Sequence, residues 1–232
     1  MEALEALLAH AQALVGVELG ELADGLGLPV PVGRVRTKGW SGQILEHELG
    51  AAAGGARGPD FAALGVELKT VPVQATSQAT SQATSQATSQ TLTPLESTAV
   101  CQIDPVAIAG ESWGSSYVRE KLARVLFVAL AVPAGAHSVG ERRVAAVRLW
   151  SPDADEERAL RDDFELFVRG YYRLGRAAEI TGHLGAVLQV RPKGRDAADL
   201  RDAYDAAGHP TRVGKHGFYL RPDFVAQILR RA

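Results

Sequence analysis

The stretch PDFAALGVELK, residues 59–69, sets an aspartate directly behind a proline and follows it with the triplet Glu67-Leu68-Lys69. The second half continues into GVELKTVPV, where Val66, Leu68 and Val71 alternate imperfectly with Glu67, Lys69 and Thr70; the β-branched content predicts a strand. Residues two apart in a strand point to the same side, so Glu67 and Lys69 project together while Leu68 enters the core. Asp60, earlier in the chain and beyond a turn, can return to the same place. The outcome is two carboxylates and one ammonium gathered around a point.

That combination suits a hard divalent cation. Mg²⁺ takes oxygen ligands, keeps several waters and commonly uses only one or two carboxylates, with substrate phosphate completing its shell. Asp60 and Glu67 would be the metal-binding carboxylates, and the Leu68 carbonyl is placed to add a further oxygen. Lys69 would then hold an attacking water and favour its hydroxide form, while the metal stabilises a pentacovalent phosphate and the departing oxygen. Taken alone, an acid followed at loose spacing by E-x-K arises often by chance on solvated strands, so the flanking sequence has to decide.

Upstream, Leu4, Leu7, Leu8, Ala11 and Leu14 fall at spacings of three and four and predict an amphipathic helix over residues 2–15. A second short helix is expected over Leu19–Leu26, closed by Gly27 and two prolines. GWSGQILEHELG offers Ser41 as an N-cap, Ile44, Leu45 and Leu49 at helical spacing, and Gly50 as a stop, which predicts a helix over residues 42–49. Downstream, STAVCQI, RVLFVALAV and VAAVRLW read as strands, with a short helix around Ser116–Ala123 before the second of them. Ser151, Pro152 and the acids after them start a helix running to about Gly170; GAVLQV and GFYL are short strands, and DAADLRDAYDAAG and PDFVAQILRRA helices. Mixed elements without regular βαβ alternation imply an α/β or α+β domain.

A chain of 232 residues with 46% hydrophobic and 22% charged residues can bury a substantial core in one large domain or two small lobes. Glu2 and Glu5 stand where a signal peptide would carry positive charge, and no apolar run approaches the ~18 residues of a membrane span, so a cytoplasmic protein is expected. The single cysteine, Cys101, makes no internal disulfide and no thiolate zinc site. A net charge of -2 gives no argument for a polyanionic partner, but nine Lys or Arg against five Asp from Arg191 to Arg231 could form a positive face. Solvated surface charge explains the same composition.

The segment TKGWSGQILEHELGAAAGGARGPDFAALGVELKT closely resembles the one that characterises the MutH family of mismatch-repair endonucleases and the related restriction enzyme Sau3AI. The resemblance continues through STAVCQ, SYVREKLARVLF, RRVAAVRLWSPD, LQVRPKG and GFYL, covering nearly the whole chain. It implies a PD-(D/E)xK, restriction-endonuclease-like fold, mixed α/β, with two lobes flanking a DNA cleft in a single domain over residues 1–232. By the same resemblance Asp60, Glu67 and Lys69 are catalytic, joined by Glu46 on the preceding helix. Glu48 is then a surface residue, His47 a surface or lobe-contact residue, and Trp40 a buried aromatic. Lys38 matches a lysine near the DNA, and Arg191, Pro192 and Lys193 match the loop that reads GATC from the major groove. Arg and Lys suit guanine O6 and N7. Tyr219 matches a tyrosine that senses adenine N6, where a methyl group would crowd a closely packed ring; core packing is the alternative for that ring. Lys121 and Arg119 are further candidates for phosphate contact or for active-site bases. The implied activity is Mg²⁺-dependent nicking of the unmethylated strand at hemimethylated GATC, stimulated by MutL, in a monomer that binds double-stranded DNA and no membrane. A Sau3AI-like enzyme cutting both strands, which a second nuclease-like domain would support, and a DNA-binding module without catalysis are the other readings. All four active-site positions hold chemically competent residues.

One segment departs from the family. VPVQATSQATSQATSQATSQTLT, residues 71–93, holds four consecutive QATS copies in the connection between the E-x-K strand and the next, where a short link is expected, and Ala99 stands where a bulkier residue is expected. From Gln74 to Gln90 no apolar residue exceeds alanine, so this insertion reads as a solvated loop or extended hairpin. Lengthening a connection from about 4 to about 20 residues costs roughly 1.4 kcal/mol by the logarithmic closure law. The unit corresponds to a coding repeat that gains or loses copies in frame. Two consequences stay open: a tolerated expansion, or a tract that disturbs the catalytic hairpin and makes copy number a switch.

Overall fold

The computed structural model describes residues 2–31, 39–51, 58–77, 90–196 and 198–231. It divides into two compact units: Met1–Glu96 with Arg124–Trp150 and Val225–Ala232, and Ser97–Ala123 with Ser151–Phe224. The architecture is mixed α/β.

The first unit is built on a four-stranded sheet in the order β2-β1-β4-β5. Its strands are β1 (Glu67–Ser77), β2 (Gln90–Pro94), β4 (Val125–Ala131) and β5 (Arg143–Trp150). β4 carries VLFVALA and is buried on both faces, which is why its sequence is a continuous apolar run. β1 pairs with β4 in parallel from Glu67↔Val125 to Val73↔Ala131, and with β2 antiparallel only from Val73↔Pro94 onward. Among the described residues no strand pairs along the other side of Glu67–Val71, so the first half of β1 is a sheet edge.

Three helices share a core with this sheet: α1 (Glu2–Ala13), α2 (Leu19–Gly25) and α3 (Trp40–Glu48). Leu7, Ala11, Leu22, Ile44 and Leu45 pack in one cluster with Leu68, Leu126, Val128 and Leu130, the apolar stripes that the helical spacing predicts. α3 corrects one expectation: its N-cap is Gly39 at φ +84, and the first helical residue is Trp40, so Ser41 lies inside the helix and is buried. The left-handed backbone at Gly39 turns the chain into the helix before Ser41 is reached, a conformation that glycine adopts without penalty.

The repeat meets the sheet directly. Its first copy, Gln74–Ser77, is strand, pairing residue by residue with Thr93, Leu92, Thr91 and Gln90. Residues 78–89, the other three copies, lie outside the described residues.

The second unit holds a three-stranded antiparallel sheet, β3-β9-β6, and a separate hairpin, β7-β8. Here β3 is Thr98–Gln102, β6 Leu188–Pro192, β7 Leu200–Tyr204, β8 Pro210–Gly214 and β9 His216–Leu220. α4 (Tyr117–Leu122) is capped by the Ser116 hydroxyl; α5 (Ala154–Phe167) by a capping box of Asp153 and Glu156, and a π-helical turn, Val168–Tyr172, follows it. Trp113, Phe164, Phe167 and Phe218 form an aromatic core with ring centroids 5.5 to 6.0 Å apart. α6 (Pro222–Arg230) starts in this unit and ends in the first.

The helix expected over residues 196–208 is instead the hairpin. Asp196 Oδ1 accepts from the Ala198 N–H, and Asp205 Oδ1 accepts from the N–H groups of Ala207 and His209 at 2.9 and 2.8 Å. These local side-chain bonds offer the backbone turns in place of helix, and Gly208 at φ +81 completes the reversal. The apolar spacing that suggested a helix was alanine-rich, and alanine fits either state.

Candidate active site

A short reversal builds the site in the first unit. Phe61 and Val66 exchange backbone hydrogen bonds of 2.9 and 3.3 Å around a 3-10 turn, Ala62–Leu64, and Gly65 at φ +62. The reversal carries Asp60 back to the start of β1, where its Oδ2 accepts the Leu68 N–H at 2.8 Å. Two anchors hold this corner to β4: Glu67 N–H donates to the Arg124 carbonyl at 3.0 Å, and the Arg124 guanidinium donates to the Leu64 carbonyl at 3.2 Å. Nothing in the sequence singled out Arg124, which stands one residue before an apolar strand.

Leu68 is buried in the core cluster, and its neighbours Glu67 and Lys69 share the opposite face. Lys69 Nζ donates to Glu67 Oε1 at 2.6 Å, with the Glu67 side chain 4% and the Lys69 side chain 16% exposed. Burial raises the pKa of Glu46 on α3, and the charges of Asp60 and Glu67 push it further up, against the attraction of Lys69 and His47. Glu46 therefore lies in the field of both β1-side carboxylates. His47 is exposed, Trp40 is buried, and Glu48 Oε1 accepts from His10 Nε2 at 3.1 Å. Lys38 lies outside the described residues.

Burial and the negative charge of Asp60 and Glu67 both disfavour the charged form of Glu46, and a cation bound at this corner would relieve that. Among the described residues no group of three or more His, Cys, Asp or Glu side chains stands close enough to hold a metal by side chains alone. The residues present fit Mg²⁺, which is satisfied with two carboxylates and fills its shell with water and substrate oxygen.

The second unit places three of the remaining candidates, Arg191, Lys193 and Tyr219, on one sheet face. Gln189, Arg191 and Lys193 alternate along β6 and its extension, while Lys215, Gly217 and Tyr219 alternate along β9 in register with them: Gln189↔Tyr219, Arg191↔Gly217, and Lys193 N–H to the Lys215 carbonyl at 2.7 Å. Lys193 Nζ stands 5.8 Å from the centroid of the Tyr219 ring. Arg191 and Pro192 are exposed, Lys193 and Tyr219 half-buried. Tyr219 is thus a sheet-face residue, and its register partner on β3 is Ala99. Ser97, which sequence reasoning passed over, takes hydrogen bonds on its Oγ from Gln189 at 2.7 Å and from Arg191 at 3.0 Å.

Three groups hold β6 and β9 in place. Buried Asp163 on α5 accepts from the N–H groups of Ala186, Val187 and Leu188. Arg221 donates to the carbonyls of Gly182, Leu184 and Gly185. Tyr172 Oη bonds His216 Nδ1 at 3.1 Å, and burial lowers the His216 pKa while raising that of the tyrosine. Elsewhere in the unit Lys121 is buried with Nζ over the Tyr117 ring, and Arg119 pairs with Glu157 at 2.7 Å. The basic C-terminal stretch is not uniformly positive: Arg201 and Lys215 stand 3.7 and 3.8 Å from Asp199, and Arg212 is 3.6 Å from Asp202. Among the described residues no helix is long and apolar enough to cross a membrane.

A profile of the family described as DNA mismatch repair enzyme MutH matches residues 49–163, which include Asp60, Glu67 and Lys69. The full chain is 42% identical to the DNA mismatch repair protein MutH of Klebsiella pneumoniae subsp. pneumoniae over 231 residues, 98% of this chain and 91% of that protein. It is 40% identical to MutH of Vibrio cholerae serotype O1 over 227 residues, 97% and 94% of the two chains. With MutH of Escherichia coli O9:H4 the figure is 41% over 232 residues, 99% and 93%.

Proposed function

The chain belongs to the MutH family of DNA mismatch repair endonucleases, with its restriction-endonuclease-like fold, and from that premise we propose that it nicks the unmethylated strand of double-stranded DNA at hemimethylated GATC sites, with Mg²⁺ as cofactor and with MutL as the stimulating partner. The observation that carries the reading is the tie between Asp60, the Leu68 backbone, Glu67 and Lys69 at the edge of β1. Asp60 and Glu67 would hold the Mg²⁺, with the Leu68 carbonyl as a further oxygen. When bound, the ion supplies Lewis acidity to phosphate oxygens. Lys69, held by Glu67, donates to the attacking water and favours its hydroxide form. That oxygen bonds to phosphorus as one P–O ester bond breaks, and the departing oxygen takes a proton. Glu46 adds a third carboxyl group at this corner, which a bound cation would hold in its charged form.

In this reading Arg191 and Lys193 contact guanine O6 and N7 in the major groove, Pro192, the last residue of β6, lies between them, and Tyr219 packs against the adenine N6 position. Lys38 contributes a phosphate contact, and Arg119 and Lys121 serve as phosphate contacts or active-site bases once released from Glu157 and the Tyr117 ring. The β6-β9 face supports this assignment because it presents two cations and an aromatic ring on one side of one sheet.

The test is nicking of hemimethylated, unmethylated and fully methylated GATC duplexes with Mg²⁺, with and without MutL. Cleavage of the unmethylated strand of the first two, increased by MutL, is expected. Lys69→Ala should abolish nicking while DNA binding survives, and Asp60→Ala and Glu67→Ala should each eliminate Mg²⁺-dependent turnover. Native turnover in any of the three would remove that residue from the mechanism, and equal cutting of both strands at fully methylated sites would reject the strand-discriminating reading.

A further inference from the structure

Gly217 is the second residue of β9, buried, with a backbone outside the left-handed region, so nothing about its conformation calls for glycine. Glycine inside a strand costs stability through its unfolded-state freedom and leaves no side chain to pack, and where it occurs it commonly marks a close approach. The approach here is specific. A Cβ on Gly217 would stand 2.7 Å from Lys193 Cδ, 3.3 Å from Tyr219 Cε2 and 2.9 Å from the Cys101 carbonyl oxygen. The Lys193 stem thus crosses β9 through the space that a side chain at 217 would fill, and it ends with Nζ over the Tyr219 ring.

We propose that Gly217 is a positioning residue: it forms the groove that seats the Lys193 stem against Tyr219, and so couples the base-reading lysine to the methyl-sensing tyrosine. The inference rests on the reading of Lys193 and Tyr219 given above. Its physical content is that the two side chains form one packed unit. The aliphatic stem limits the ring's freedom, the ring's electron-rich face holds the ammonium, and the groove makes both possible. Filling the groove should therefore disturb recognition of the guanine and recognition of the methyl group together. A close approach of β3 alone, through the Cys101 carbonyl, would disturb neither selectively.

The experiment uses the full chain and measures two ratios by kcat/KM: nicking at GATC against a duplex with one changed base pair, and nicking at unmethylated against fully methylated GATC. The variants are Gly217→Ala, Lys193→Ala, the double variant and Lys193→Met. Gly217→Ala should lower both ratios at least about fivefold, the low end of what one base contact discriminates, and should lower neither further in the Lys193→Ala background. Lys193→Met keeps the stem and removes the charge, so it should lose base discrimination and retain the methylation ratio. This arm decides the matter even if Gly217→Ala fails to fold. The coupling is overturned if Gly217→Ala slows nicking of all duplexes alike, if its effect persists undiminished in the double variant, or if Lys193→Met loses the methylation ratio as fully as Lys193→Ala. Unchanged ratios in Lys193→Ala would instead defeat the underlying assignment of that residue, and with it the coupling.

Discussion

Replacing Asp163 with asparagine changes a buried carboxylate into an amide of nearly the same shape, and the structure sets what that costs. Oδ2 accepts from the N–H groups of Ala186, Val187 and Leu188 at 2.9, 2.7 and 2.8 Å, and Oδ1 accepts from Ala186 at 2.8 Å. An amide retains one acceptor oxygen, and its NH₂ group then turns donors toward a donor. Hydrogen bonds to charged groups contribute about 1.5–3 kcal/mol each. Loss of one outright and of the charge assistance on the others should therefore destabilise the protein by about 3–5 kcal/mol. For a chain of this size each kcal/mol lowers Tm by roughly 2–4 °C, so a drop of roughly 6–20 °C is expected. The assay is urea unfolding followed by circular dichroism, with thermal unfolding beside it. Because Leu188 begins β6, the strand that leads to Lys193, GATC discrimination should weaken as well, while Mg²⁺ affinity stays native. A loss under about 1 kcal/mol would refute the reasoning, since it would mean that the three N–H groups find other partners as good.

Two further outcomes follow from the same geometry. Twelve residues separate the paired Ser77 and Gln90; removing two QATS copies leaves four, which should raise stability by about 1 kcal/mol through loop closure, with nicking equal or higher. Removing three copies would make the turn out of Ser77 and Gln90 themselves and forfeit the last ladder pair, so stability should peak at two deletions in unfolding experiments across a copy-number series; loss of activity in a folded short version would make the repeat a functional contact. Burial lowers the His216 pKa, so the folded state keeps this ring neutral while the unfolded chain protonates it below about pH 6.5. The stability it contributes is present above that pH and is lost as pH falls toward the lower folded value, so His216→Gln should flatten the decline between about pH 7.5 and about pH 5.5, and an unchanged slope would show that another group carries it.

The gathering of Asp60, Glu67 and Lys69 at the start of β1 was legible because its logic is local. Proline and aspartate before a short reversal, then an acid and a lysine two apart on a strand, are patterns that backbone geometry alone turns into proximity. The helices α1 and α3 and the strands β4 and β5 were legible for the same reason: their apolar periods are those of helix and buried strand. The helix expected over residues 196–208 failed because alanines fit helix and strand alike, and the deciding bonds came from Asp196 and Asp205 to backbone only two to four residues away. Ser41 failed as a cap because Gly39 had already turned the chain. Glu46, Lys193 and Tyr219 were reached through family resemblance; no spacing rule joins a residue on α3 to one on β1, or one at 193 to one at 219.

By itself, the sequence determined that Glu67 and Lys69 share a face of one strand and that Leu68 opposes them, since alternation is a property of the extended chain. It likewise determined that the QATS tract supplies no core. Only the tertiary structure decided that Asp60 holds the Leu68 N–H, that Arg124 secures the turn, and that Ser97 bridges Gln189 and Arg191, because these contacts depend on which strands lie side by side and in which register. Gly217 shows the difference most clearly. In the sequence it is a glycine in a strand, a small loss of stability without evident cause. In the folded protein the missing Cβ is the space through which Lys193 reaches Tyr219, and a space between two strands has no counterpart in the sequence of either.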